Sequence, residues 1–258
     1  MDAALKSTAG GQARFTTTNW GLVAVAANDQ EALNSQAVTK ALADLYRTYC
    51  YPVYAFIRRR GRTREEAQDL TQDFFIHLLE RKTLRRADPN RGKFRSFLLG
   101  ALEFFLAQVH EKAGALKRGG KAEFVFLDND SAEVQYQLVS EELSAERVFE
   151  IRWAASLIST ALKKLRLEMV REGKTEVYET LQQFLLGEKS SSYQEVAERL
   201  GFSVGAMKTV IHRLRVRYRT LLREEVAQTV MNPDEIDSEL QALRAILRSG
   251  PTRLEDVA

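Results

Sequence analysis

Apolar side chains recur along most of this chain at intervals of three and four, the period of a helix buried on one side. Leu42, Leu45, Tyr49, Val53, Phe56 and Ile57 form one such stripe and predict a long helix ending at Arg58-Arg59-Arg60-Gly61. Pro52 lies inside it and predicts a kink, because proline removes one helical hydrogen bond and crowds the preceding turn. Thr63 and Glu66 have the spacing of a capping box, in which a hydroxyl and a carboxylate each satisfy an otherwise orphaned amide. The helix they open carries Ala67, Leu70, Phe74, Phe75, Leu78 and Leu79 on its apolar face, and Asp69, Gln72, Asp73 and His77 on another. Asp88-Pro89-Asn90 predicts a turn, and a further helix follows from Arg91, with cations at both of its ends.

The pattern weakens from Glu123 to Leu143, where Asp128-Asn129-Asp130-Ser131 is acidic and polar, so 123–143 reads as a linker. Sustained alternation occurs only at Glu123 to Asp128, too short a run to build a sheet. Beyond it Ser144 caps a helix bearing Phe149, Trp153, Leu157, Ala161 and Leu165, and Tyr178, Leu181, Phe184 and Leu185 mark another before Gly187. Asn232-Pro233 opens a last helix with Ile236, Leu240, Leu243 and Leu247 on one side, a narrow stripe that needs somewhere to dock. Near the start, residues 1–14 are small and polar and are expected to be disordered. Trp20, Leu22 and Val23 then suggest a short element packed on the next domain. The expected fold is all-α: two helical domains joined by a linker, at 15–122 and 144–227, with a helical extension over 228–258.

Ser192 to Leu222 is the most informative stretch. Ser192 with Glu195 is a second capping box, Val196, Ala197 and Leu200 form the stripe of a short helix, and Gly201 supplies the freedom for a turn. Ser203 caps the next helix, which has Met207, Ile211, Leu214 and Tyr218 on one face and Lys208, His212, Arg215 and Arg219 on the other. A charged helix face is ordinarily only a solvated one. Two capped helices, a glycine turn and unbalanced cations together point to a helix-turn-helix on DNA, the second helix entering the major groove at its start. Ser203, Val204, Gly205, Ala206, Lys208, Thr209, His212, Arg213 and Arg215 are then the candidate DNA contacts.

The segment from Arg91 interleaves Phe94, Phe97, Phe104 and Phe105 with Lys93 and Arg95. Rings beside cations suit single-stranded nucleic acid, since bases stack on the rings while cations hold phosphates. Phe and Leu at helical spacing are also what a core needs, so here the pattern alone leaves both readings open.

Charge enters through clustering and not through balance: 38 Lys and Arg against 35 Asp and Glu leave the chain only mildly basic. The single cysteine, Cys50, has no partner for a disulfide and reads as a buried thiol in a reducing compartment. His77, His110 and His212 are far apart, Gly119-Gly120-Lys121 lacks the spacing of a phosphate loop, and Asp128-Asn129-Asp130 lacks the later Gly and Glu of a calcium loop. The expectation is no metal, no cofactor and no enzymatic activity. No run approaches a membrane span and the start lacks a signal-peptide core, so a cytoplasmic protein with no membrane insertion is expected.

From Ala37 to Ala227 the layout resembles an RNA polymerase sigma factor of the extracytoplasmic-function (ECF) type. Glu65 to Glu80 resembles the helix with which that family binds the polymerase clamp, which implies polymerase-contacting roles for Asp69, Gln72, Asp73 and His77. Arg91 to Ala113 is similar to the promoter-melting and minus-ten-reading segment, which implies strand contacts for Lys93, Arg95 and Phe97. Ser192 to Arg215 is similar to the helix-turn-helix that binds the minus-thirty-five element. The partners so implied are core RNA polymerase and promoter DNA, with room for an anti-sigma factor or other regulator.

Many members of that family carry basic or amide residues in the middle of the minus-ten helix, where this chain has Gly100, Glu103 and Phe104. Either the sequence read there is unusual, or that part faces protein and the contacts shift to Lys93, Arg95 and the nearby rings. The competing reading is a regulator resembling the LuxR type, whose helix-turn-helix is alike but whose partner domain usually contains strands.

Overall fold

A computed structural model describes residues 19–26, 35–79, 93–112, 136, 142–186, 192–230 and 232–248. The expected tail at 1–14, the turn at Asp88-Pro89-Asn90, the alternation at Glu123 to Asp128 and most of the expected linker at 123–143 lie outside these residues. The fold is all-α, and no strand occurs among the described residues.

Helix α1 (Asn19–Ala26) is followed by α2 (Gln36–Arg59), α3 (Arg64–Leu79) and α4 (Phe94–Lys112). Ser35 accepts from the Val38 amide to start α2, which runs unbroken through the buried Pro52. At its end Gly61 takes φ 83°, a left-handed conformation that costs glycine little. The expected capping box then opens α3: the Thr63 amide donates to Glu66 Oε2 at 3.0 Å and the Glu66 amide to Thr63 Oγ1 at 3.2 Å. One core forms among these helices, from Trp20 and Val23, through Tyr49, Val53 and Phe56, to Phe74, Phe94 and Leu98.

After Ser144, whose hydroxyl accepts from the Arg147 amide, α5 (Ala145–Arg171) runs for 27 residues without a glycine or proline. Its first half packs along α2 and gives Phe149, Trp153 and Leu157 to the first core. Its second half gives Ala161, Leu165 and Met169 to another core. That second core is completed by α6 (Thr175–Leu181), α7 (Gln183–Leu186), α8 (Tyr193–Leu200) and α9 (Val204–Ala227). The division between cores therefore runs through the middle of α5, not at its start, because apolar positions continue past Leu157 around an unbroken helix.

The chain closes back on the first core. A 3₁₀ turn at Pro233–Glu235 leads into α10 (Ile236–Arg248). Leu243 and Ile246 of α10 are buried in the first core, and Ile236, Leu240 and Leu247 pack against it. The last helix thus docks on α5 and on the second half of α9, with Glu239 against the start of α4. Arg147 donates to the Ile246 carbonyl at 2.7 Å, which satisfies one of the orphaned carbonyls near the end of α10. Gln228, just after α9, does the same for the start of α1: its backbone oxygen accepts from the Trp20 amide at 3.2 Å and its Oε1 from the Asn19 amide at 3.1 Å.

Candidate nucleic-acid and polymerase interfaces

The pair α8 and α9 is built as its capping residues dictate. Ser192 and Glu195 make both bonds of the capping box, at 3.0 and 3.2 Å. Gly201 stands at φ 70°, and the Phe202 amide reaches back to the Ala197 carbonyl at 2.9 Å. Ser203 then accepts from the Ala206 amide at 3.2 Å and starts α9. Val196, Ala197, Met207, Ile211 and Leu214 are buried between the helices, so the remaining face is turned outward.

That outward face holds most of the residues expected on DNA. Ser203, Val204, Gly205, Ala206, Lys208, Thr209, His212 and Arg213 are all exposed. Arg215 is different: Nε and Nη2 donate to the Phe184 carbonyl at 3.2 and 2.9 Å, so its guanidinium fastens α9 to the end of α7. Arg217 is likewise turned to protein, in a bidentate pair with Glu168 at 2.6 and 2.8 Å. Exposed Phe202 and Arg219 border the same face. Phe202 was missed because an apolar residue after a turn glycine usually signals packing.

On α3 the polar side also stands outward. Asp69 and Asp73 are exposed, one turn apart, while Gln72 and His77 are half-buried, His77 with its ring 5.4 Å from that of Phe105. Partial burial and the neighbouring Asp69 charge hold the Asp73 carboxyl above the ordinary carboxylate value. Two exposed carboxylates on one rigid turn form a small anionic face suited to a basic partner.

The start of α4 departs from expectation. Lys93 and Arg95 are turned inward, onto Glu239 of α10: Lys93 Nζ lies 2.6 Å from Oε2, and Arg95 Nε lies 2.6 Å from Oε1. Glu239 is only 1% exposed. Arg95 also pairs with Glu150 at 3.2 Å and lies 4.9 Å over the ring of Trp153. Phe97 is half-buried and stacked on Trp20, centroids 5.3 Å apart. Phe94 and Phe105 are core, as their helical spacing allowed. The middle of the helix faces solvent: Gly100, Glu103 and Phe104 are exposed, with Phe104 at 50%, and Glu103 lies 3.5 Å from Arg60. In this conformation the middle of the segment is open and the expected strand contacts are covered.

No group of three or more His, Cys, Asp or Glu side chains that could hold a metal ion occurs among the described residues, and no described helix is long and apolar enough to cross a membrane. Compared with known families, residues 45–103 match Sigma-70 region 2, from the second half of α2 through α3 to the middle of α4. No curated protein and no solved structure matches the chain. The match takes in the anionic turn of α3 and the covered start of α4, so the chemistry of both surfaces falls inside the segment that sigma factors use to bind polymerase and open promoters. It supports a sigma-factor family for this chain, with core RNA polymerase and promoter DNA as the implied partners.

Proposed function

We propose that this chain is an initiation subunit of the ECF type, acting in the cytoplasm, that carries core RNA polymerase to promoters and leaves the chemistry of RNA synthesis to it. The match of residues 45–103 to Sigma-70 region 2 carries this reading. Asp69 and Asp73, with Gln72 and His77 beside them, present α3 to the polymerase clamp. The α4 segment, with Lys93, Arg95 and Phe97, captures the opened minus-ten strand by stacking and phosphate contact. The pair α8 and α9 works as a helix-turn-helix on the minus-thirty-five duplex. Ser203 to Ala206 read base edges there, while Lys208 and Arg213 hold phosphates.

Run-off transcription with purified chain, bacterial core polymerase and a pool of promoter fragments tests the whole reading. Specific initiation is expected. Asp69→Arg combined with Asp73→Arg should weaken binding to core polymerase and leave binding of isolated duplex intact, because the two surfaces sit on separate cores. Duplex binding without any binding of core polymerase would overturn the proposal in favour of a helix-turn-helix regulator.

A further inference from the structure

The surface that Lys93, Arg95 and Phe97 would offer a DNA strand is occupied by two side chains from elsewhere in the sequence. Glu239 supplies a carboxylate to both cations, and its two oxygens meet Arg95 Nε and Nη2 at 2.6 and 3.4 Å, the forked geometry a phosphate would also satisfy. Trp20 lays its ring on Phe97 with the planes inclined by 26°, where a base would stack. The two intruders come from α10 and α1, outside residues 45–103, and both helices are tied to the rest of the fold. Arg147 holds the end of α10 through the Ile246 carbonyl, and Gln228 holds the start of α1.

The burial pattern is that of a balanced ionic cluster and not of a surface contact. Arg95 is 14% exposed, Lys93 25% and Glu239 1%, with Glu150 facing Arg95 from α5. A carboxylate so enclosed is tolerated only with cations around it, and cations so enclosed need an anion in return. An apolar residue at 239 would keep Leu243 and Ile246 in the core, yet would take the carboxylate from Lys93 and leave Arg95 with Glu150 alone. Glu239 is therefore matched to what lies on α4.

We infer that α10 and α1 form an internal mimic of a nucleotide, Glu239 in place of the phosphate and Trp20 in place of the base, which closes the strand-binding start of α4 until both are displaced. The inference rests on the reading of Lys93, Arg95 and Phe97 as strand contacts. Displacement exchanges one anion and one ring for another anion and another ring, so a captured strand holds the open form as the mimic holds the closed one.

Binding of a fluorescent single-stranded oligonucleotide to the full chain tests this, in wild type, Glu239→Gln and Leu243→Ala, each with and without Lys93→Ala and Arg95→Ala. If about nine molecules in ten are closed, the wild type binds about tenfold more weakly than its open form. Glu239→Gln should recover most of that factor, and the added alanines should remove the gain. Leu243→Ala loosens α10 without touching the carboxylate and should act in the same direction, with circular dichroism confirming that both variants are folded. Equal strand binding by wild type and both variants, lost in each when Lys93 and Arg95 become alanine, would overturn the mimic and keep the strand-contact reading. Strand binding that ignores Lys93 and Arg95 in every background would overturn the strand-contact reading, and the mimic with it.

Discussion

Single residues set the geometry of the outward faces, and two of them make opposite predictions. Gly201 has a left-handed backbone and no heavy atom within 4 Å of where a Cβ would stand, so only conformation opposes a side chain there. Gly201→Ala should lower stability by about 1–2 kcal/mol in chemical denaturation. Gly100 sits in a helix with the same open space, so Gly100→Ala should raise stability by about 0.5–1 kcal/mol in the same measurement. The anionic turn of α3 yields a third test. The folded-state value of the Asp73 carboxyl lies above its unfolded one, so its contribution favours folding less as pH rises between the two. Asp69→Asn removes the like charge, and a carboxyl NMR titration should find Asp73 ionising at lower pH than in wild type. An unchanged titration would leave burial as the whole cause.

At the scale of elements, the capping residues carried most of the legible information. The boxes at Thr63 with Glu66 and at Ser192 with Glu195, and the caps at Ser144 and Ser203, are local in sequence, and each starts its helix where the spacing places it. What was not legible is long-range. Nothing local distinguishes Lys93 and Arg95 held by a carboxylate 144 or more positions away from the same residues free in solvent. Glu239 itself interrupts the stripe of Ile236, Leu240 and Leu243, and a charge in that place reads as solvated until its cations are seen. Arg215 fell on the cationic face by periodicity, yet its length lets it turn back to the Phe184 carbonyl. The same limit hid the role of α5, whose apolar periodicity is continuous and does not announce a change of core. Because one helix serves both, the chain should melt in a single calorimetric transition. Ser159→Pro, between Leu157 and Ala161, should cost about 3 kcal/mol or more and split that transition in two.

For the whole molecule, charge is arranged by surface: anionic on α3, cationic along the outside of α9, and internally neutralised where α4, α5 and α10 meet. On the proposed reading, duplex binding through Lys208 and Arg213 should therefore depend on salt, with log K against log salt falling at a slope of about −2. Lys208→Ala should reduce that slope by about one without changing which sequence is preferred, whereas a change at Val204 or Ala206 should alter preference and leave the slope alone. A slope near zero would remove these cations from the phosphate backbone. The covered start of α4 should add nothing to the slope for duplex, since its charges are already neutralised within the protein.

The continuity of α5 also gears its two halves to each other. Each residue of an α-helix turns the chain by about 100° and advances it by about 1.5 Å, so one residue inserted between Ile158 and Ser159 would swing the second core by more than a quarter of a revolution. Seven inserted residues, close to two full turns, would return it almost to phase but displace it by about 10 Å. Tolerance of this helix to insertion should thus be periodic and not graded, with the outward faces of α9 and α3 falling in and out of alignment as length grows.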